Sequence, residues 1–358
     1  MSNHEKCIFV TGGAGFIGSE LIRQLLASTN ALVVNIDKLT YAGNLSTLGD
    51  VQSNDRYYFS QTDICDRAEI DLLFEKFKPD GIMHLAAESH VDRSIDTPKT
   101  FLETNIMGTY TLLEAMRTYR DKWSSRSNKQ FRFHHVSTDE VYGTLGKEGK
   151  FTESSPYQPR SPYAASKASS DHIVRAWLET YGIPIIMSNC SNNYGPYQYP
   201  EKLIPVIIRK ALKEESIPIY GTGENVRDWI YVGDHARALI LIFQEGEIGK
   251  TYNVGGQNEA SNLEVAKTIC DILDSIRPRK NGAKYLDLIS YVTDRPGHDF
   301  RYAIDSSRIE QELGWHPTET FISGLRKTIY WYLQNEKWVN DVLGTEYHGE
   351  RLGLKLCR

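Results

Sequence analysis

The chain has 358 residues, of which 40% are hydrophobic, with 46 Asp plus Glu against 41 Lys plus Arg. That length and apolar fraction suffice for one large α/β domain with a smaller one appended, or for two modest domains. The charges are interspersed and slightly acidic, which excludes a basic footprint for nucleic acid or an anionic membrane and leaves small molecules as the expected ligands.

Five cysteines, Cys7, Cys65, Cys190, Cys270 and Cys357, lack CxxC spacing. They read as free thiols of a cytoplasmic protein, with neither zinc nor any other metal site and no disulfide framework. The opening "MSNHEKCIFVTGG" has no apolar signal core, and "ALILIF" is too short to span a bilayer, so no membrane partner is expected. Cys357 is penultimate and does not read as a prenylation site.

In chain order, short β-branched runs alternate with helical periodicity, which predicts a doubly wound parallel sheet of the Rossmann type. "CIFVTG" is the first strand and "FIGSELIRQLLAS" the first helix. Between them "TGGAGFIG" satisfies both Gly12-x-x-Gly15-x-x-Gly18 and Gly13-x-Gly15-x-x-Gly18. Glycines there permit a tight turn and bring backbone N–H groups, with the Phe16 and Ile17 start of the helix, against a pyrophosphate. The second strand, "ALVVNID", closes on Asp37, 19 positions after Gly18. An acid there bonds the adenosine ribose hydroxyls and repels a 2′-phosphate, which favours NAD over NADP. Lys38 follows, suited either to a phosphate or to a solvated loop.

"YYFSQTDI" ends on Asp63 and Ile64, placed either to read an adenine edge or to form the N-cap region of the helix "DRAEIDLLFEKF". "DGIMHLAA" and "FRFHHVST" are later strands, whose histidines His84, His134 and His135 read as packing residues. Right-handed crossovers put the C-terminal ends of all these strands along one edge. The last of them runs into "VSTDEVYG", where Thr138, Asp139 and Glu140 stand in succession. Two adjacent acids there either cap a turn or do proton chemistry.

"SPYAASKASSDHIVRAWLETYG" reads as a helix with Ser161 as N-cap and Pro162 in the first turn. Tyr163 and Lys167 then share a face at i and i+4. In a nicotinamide enzyme Lys167 can bond the nicotinamide ribose and lower the tyrosine pKa, so that the tyrosinate takes a proton from an alcohol whose carbon gives up hydride. With the glycine turn, and with Thr138 on the strand before the active loop, the chain resembles the extended short-chain dehydrogenase/reductase family. Oxidising an alcohol needs no further acids, so Asp139 and Glu140 point to additional proton chemistry. Beyond Cys190 the composition grows richer in Pro, Tyr and Arg. We read residues 1–190 as an NAD-binding Rossmann domain to which some later segments return, and 191–358 mainly as a smaller, discontinuous mixed α/β substrate lobe.

Seven stretches, "STDEVYG", "HLAAESHVDRSI", "ETNIMGTYTLLEA", "SPYAASKASSDH", "NCSNNYGPYQYPEKLIP", "RDWIYVGDHARAL" and "TDRPGHDFRYAID", together resemble the dTDP-glucose 4,6-dehydratase family. "KLTYAGN" and "YHGERLGL" fit it too. The resemblance implies that Tyr163 is the base for C4 oxidation, Glu140 removes the C5 proton and Asp139 protonates the departing C6 hydroxyl. It also implies deoxysugar (for example rhamnose) nucleotide biosynthesis, with NAD retained and regenerated. Cofactor contacts would extend to Thr40, Leu85, Ala86, Ala87, Thr104, Asn105 and Asn192.

For the nucleoside-diphosphate sugar the resemblance supplies Glu88 and Ser89 near the hexose, with Asn193, Lys202, Arg227, Arg295 and His298 as donors and cations. Leu203 and Pro218 border the same end. Tyr220 is suited either to stacking on the base or to filling the lobe core, and Asn262 either to the nucleotide or to an N-cap. Gly233 departs from the family's acidic residue, which predicts a helix start with fewer caps. The helices near 98–119 and 161–181 would pair in a homodimer. The rival readings are an NAD-dependent sugar-nucleotide 4-epimerase or decarboxylase, and a non-catalytic NAD-binding protein.

Overall fold

The computed structural model describes residues 6–123, 131–295 and 297–344. The segment "YHGERLGL" and Cys357 lie outside them. Twelve strands follow in chain order: β1 (Cys7–Thr11), β2 (Leu32–Asp37), β3 (Tyr57–Gln61), β4 (Gly81–His84), β5 (Arg132–Thr138), β6 (Ile185–Cys190), β7 (Asn192–Tyr194), β8 (Ile217–Tyr220), β9 (Val226–Tyr231), β10 (Thr251–Val254), β11 (Glu259–Ser261) and β12 (Ile289–Val292). Seven form one parallel sheet in the order β10-β6-β5-β4-β1-β2-β3. β1, β4 and β6 are buried along their whole length, as parallel strands covered by helices on both faces must be.

Register places the chemistry. Thr11 stands opposite both Ile36 and His84, and Thr138 opposite Cys190, so the strands end level along one edge. The order reverses between β1 and β4, which opens a crevice beyond those ends. β10 comes from beyond residue 191 and pairs with β6, Thr251 opposite Met187.

The rest of the C-terminal half packs around its own apolar core, with Ile207, Ile217, Trp229, Ile269, Leu325 and Ile329 at the centre. It carries a three-stranded sheet, β11-β9-β7, and the parallel pair β12-β8. The helix Val232–Glu245 starts at Tyr231 without a side-chain cap, as Gly233 predicts, and the Gly233 carbonyl instead accepts from Gln24 Nε2 at 2.9 Å. Among the described residues no helix is long and apolar enough to cross a membrane.

The long helix predicted from Pro98 is present but widens into a π-helical stretch, Leu102–Gly108, before resuming as Thr109–Trp123. The widening serves Asn105. Its amide accepts from the Glu88 N–H at 2.8 Å and donates to the Glu88 carbonyl at 3.0 Å and to Ser166 Oγ at 2.8 Å. Such insertions recur beside functional sites because they re-aim a side chain without ending the helix.

Two glycines in the first turn are required by space. Gly12 has φ +72°, and a Cβ on it would lie 2.8 Å from the Ala86 backbone. A Cβ on Gly18 would lie 2.2 Å from the Gly12 carbonyl oxygen, a clash of backbone on backbone that no rotamer relieves. Gly18→Ala should therefore push the helix Phe16–Ser28 off the turn, costing about 1–3 kcal/mol of stability and most NAD affinity. Thermal melts with and without NAD check this: a variant that keeps the wild-type NAD-induced rise in Tm would contradict it.

Candidate active site

One cleft opens at the sheet's C-terminal edge. Its walls include Gly12, Gly15, Phe16, Ile17, Gly18, Asp37, Lys38, Thr40, Ile64, Leu85, Ala86, Ala87, Thr104 and Asn192, whereas of the predicted cofactor residues Asp63 and Asn105 stand outside the lining. Asp37 is fixed by two backbone donors, the Ala14 N–H at 2.9 Å and the Leu39 N–H at 2.8 Å. Burial raises its pKa, and those bonds together with Lys38 oppose the rise.

Lys38 is neither a solvated loop charge nor a free cation. It pairs with Asp63 at 3.5 Å and donates to Thr104 Oγ1 at 3.1 Å. That occupation removes the main argument for a 2′-phosphate. The N-cap reading of Asp63 and Ile64 gives way, because Asp66 caps the helix Arg67–Phe77 by accepting from Ala68 and Glu69. A turn that a Cβ would fill, facing an acid at the end of β2, fits the pyrophosphate and ribose of NAD.

Thr138, Glu140, Tyr163 and Lys167 line the other half of the cleft, and Asp139 lies just behind with 1% exposure. The turn is capped by Thr138, not by the acids: its hydroxyl accepts from the Glu140 N–H at 3.3 Å and heads the single-turn helix Asp139–Tyr142. The same hydroxyl donates to Asp139 Oδ1 at 3.3 Å, while Asp139 Oδ2 has no partner among the described residues. Ser161 caps the helix Pro162–Tyr181 as predicted, accepting from Ala164 at 3.0 Å.

The two acids sit in different fields. Burial, then Glu140, then Asp228 hold the Asp139 carboxyl well above the usual range. Burial raises Glu140 too, but Arg295, Arg227 and Lys202 pull it back toward the carboxylate. Both carboxyls are thus raised, but more cations oppose the rise at Glu140 than at Asp139, so the proton is held more firmly on Asp139. Tyr163 differs from expectation. Burial, then the charge of Glu140, raises its phenol well above the ordinary value, with Thr138 opposing through a hydrogen bond. Lys167, expected to depress it, is buried and donates to the Val136 carbonyl at 2.9 Å.

Of the predicted substrate residues, Glu88, Ser89, Asn193 and Lys202 line the cleft, whereas Leu203, Pro218, Tyr220, Arg227, Asn262, Arg295 and His298 do not. Arg295 pairs with Asp92 at 2.5 Å, Arg227 donates to the Asp299 carbonyl at 2.9 Å, and His298 bonds Asp294 at 2.7 Å. The two arginines reach the site through their field on Glu140. The N-cap alternative for Asn262 is corrected: Ser261 caps that helix in a reciprocal box with Glu264, and Asn262 is the next residue. On β8, Ile217 and Ile219 enter the core while Pro218 and Tyr220 take the other face, so Tyr220 is not a core filler.

The cleft also contains Tyr41, Tyr199 and Glu201, which the sequence reading did not single out. Tyr41 lies inside "KLTYAGN", which was the available signal, and its ring stacks under Arg93 at 3.9 Å. The strand histidines are more than packing. His84 lies between Thr11 Oγ1 at 2.7 Å and Thr109 Oγ1 at 3.0 Å, His134 bonds Ser188 at 2.9 Å and His135 bonds Asp171 at 2.9 Å.

Residues 9–328 match the family described as GDP-mannose 4,6 dehydratase. A dTDP-glucose 4,6-dehydratase of Neisseria meningitidis is 58% identical over 349 residues, covering 97% of this chain and 98% of its own. "dTDP-glucose 4,6-dehydratase 1" of Escherichia coli is 56% identical over 349 residues, 95% of this chain and 96% of that protein. The chain belongs to the dTDP-glucose 4,6-dehydratase family. A solved dTDP-glucose 4,6-dehydratase from Streptomyces venezuelae, with NAD and TYD bound, superposes with a TM-score of 0.86 at 43% identity, covering 94% of this chain and 99% of that one. A UDP-glucose 4-epimerase of Thermus thermophilus in complex with NAD shares the fold more distantly, at TM-score 0.80 and 28% identity over 92% and 99% of the two chains. Membership of the dehydratase family accounts for a pair of acids that alcohol oxidation alone does not need.

Because folding raises the pKa of Asp139 above its unfolded value, the fold favours the protonated form. That contribution is complete below the unfolded pKa of about 4 and is lost as pH rises toward the folded one. Asp139→Asn cannot titrate, so its Tm relative to wild type should climb with pH, reaching a gain of about 2–4 °C by neutrality. A Tm difference that stays flat from acid to neutral pH would show that Asp139 ionises freely in the fold.

Proposed function

We propose that this protein converts dTDP-glucose to dTDP-4-keto-6-deoxyglucose, a 4,6-dehydration that feeds deoxysugar nucleotide synthesis in the cytoplasm. The observation that carries the reading is the buried, neutral Asp139 directly beside the cation-held Glu140. Tyr163, bonded to Thr138, takes the C4 hydroxyl proton only as its tyrosinate, a form that burial and Glu140 disfavour in the unliganded cleft and that the positive charge of Lys167 and of an oxidised nicotinamide would favour, and the Thr138 hydroxyl steadies the oxygen as it becomes a carbonyl. NAD, which the glycine turn and Asp37 would hold, would supply the acceptor for the C4 hydride and the donor of hydride to C6.

With C4 a ketone, the C5 hydrogen is acidic. Glu140 removes it, and Asp139 gives its proton to the C6 hydroxyl, which leaves as water. Glu140 can then return a proton to C5. Lys167, on the Val136 carbonyl, keeps further N–H donors for the nicotinamide ribose. Lys202, which donates to the Ser89 carbonyl at 3.3 Å, and the arginines 227 and 295 put positive charge where a diphosphate needs it. An epimerase would need no buried acid next to Glu140, and a non-catalytic protein would need neither.

We further propose a homodimer through the helical stretch 98–123 and the helix Pro162–Tyr181. Leu102, Met107, Tyr110 and Tyr181 are 47%, 51%, 39% and 37% exposed there, a density of large apolar side chains that supports a covered face. Light scattering should give twice the chain mass at micromolar concentration, and Leu102→Glu with Met107→Glu should halve it.

Incubating the protein with dTDP-glucose in D2O should give a product lighter by one water and carrying deuterium at C5. Asp139→Asn should slow water loss about 10²-fold or more while C5 of the substrate still exchanges with solvent, and Glu140→Gln should lose exchange as well. Intact substrate with NAD supplied would refute the dehydration, and exchange surviving in Glu140→Gln would reassign the base.

A further inference from the structure

The mechanism leaves one fully buried acid unused. Asp171 has no exposed surface and stands one helical turn beyond Lys167 on the helix Pro162–Tyr181. Three donors converge on it: His135 Nε2 on Oδ1 at 2.9 Å, and Ser137 Oγ at 2.8 Å and Tyr157 O–H at 3.0 Å on Oδ2. A carboxyl met by donors alone is arranged as a carboxylate.

Lys167 needs a counter-charge. It is 5% exposed, and its one direct acceptor, the Val136 carbonyl, is neutral. Burial lowers its pKa, and of the groups that oppose the drop Asp171 is the largest, followed by Cys190. The titratable groups around it are Tyr163 and Asp171 on its own helix, His135 on β5, His84 on β4 and Cys190 on β6. Burial pushes the Cys190 thiol up to about 12 and both histidines down, so these three are neutral near pH 7. Tyr163 is neutral as well. Asp171 is then the one anion in this group.

We propose that Asp171 is a positioning residue for the reaction: a buried counter-charge, fixed by His135, Ser137 and Tyr157, that keeps Lys167 a cation where it meets the cofactor. The proposal rests on the NAD-dependent reading above. It gives His135 and Ser137 a task that reaches the cleft from beneath, through the strand that also carries Thr138. Asp171 touches neither cofactor nor substrate and acts wholly through Lys167.

The test is NAD affinity against pH, followed by tryptophan fluorescence. Wild-type affinity should hold through neutral pH and then fall on an alkaline limb as Lys167 loses its proton. Asp171→Asn, close in shape but neutral, should move that alkaline limb down by about 1–2 pH units, weakening NAD binding roughly tenfold or more on the wild-type limb and less than about threefold near pH 6.5. Tyr157→Phe disturbs the same network without removing the charge and should keep the wild-type limb. An unmoved limb in Asp171→Asn, or an equal shift in Tyr157→Phe, overturns the proposal. So does a wild-type limb that already falls through neutral pH, the behaviour of a buried lysine with no effective counter-charge, and that measurement needs no variant to fold. Because the readout is cofactor binding, failure of dTDP-glucose to react would count against the dehydration alone.

Discussion

Holding two adjacent buried carboxyls in unequal fields is the constraint on which the arrangement depends. Asp139 and Glu140 are consecutive, so no separation in the chain can distinguish them. The distinction comes from where β5 ends. Thr138 closes the strand, the next residue turns under the sheet edge toward Asp228, and the one after it emerges facing Arg227, Arg295 and Lys202. A single tight turn, capped by the Thr138 hydroxyl, thus converts sequence adjacency into opposite electrostatic surroundings.

The same economy governs the cations. Arg295 is held by Asp92 on the helix Val91–Asp96, and Arg93 of that helix is held by Glu201 at 2.9 Å. That short helix therefore ties the loop after β4 to two segments of the C-terminal half, one before the helix Leu203–Leu212 and one after β12. Charges that act on Glu140 are in this way positioned by partners that never meet it. The network spans both halves of the chain, as a reaction with a dinucleotide on one wall and a sugar nucleotide on the other requires.

Much of this was legible in the sequence because it rests on local rules. Glycine punctuation and 3.6-residue periodicity coincide over Phe16–Ser28, the limits that the first helix has. Ser161 and Pro162 announced their helix by capping chemistry. What escaped was long-range pairing. Lys38 looked like a loose charge because Asp63 and Thr104 reach it only once β3 and the π-helical stretch have folded beside it. The strand histidines looked apolar by context, yet each found a hydroxyl or carboxylate from another strand or helix. Tyr163 was misjudged for a related reason: the spacing to Lys167 is visible in the chain, but the depth of burial and the bearing of Glu140 are not.

β10 carries a consequence for how the polypeptide comes into being. The strand that completes the main sheet beside β6 lies about sixty residues further along, after β7, β8 and β9 have been laid down. During synthesis the β6 edge, with its row of unsatisfied N–H and C=O groups, must wait for Thr251–Val254 to leave the ribosome. A nascent chain halted in that interval carries the Ile185–Cys190 strand with one edge open to any other strand it meets. The nucleotide-binding half is thus the first to be translated but cannot be the first to finish, and chaperone dependence should concentrate in that window.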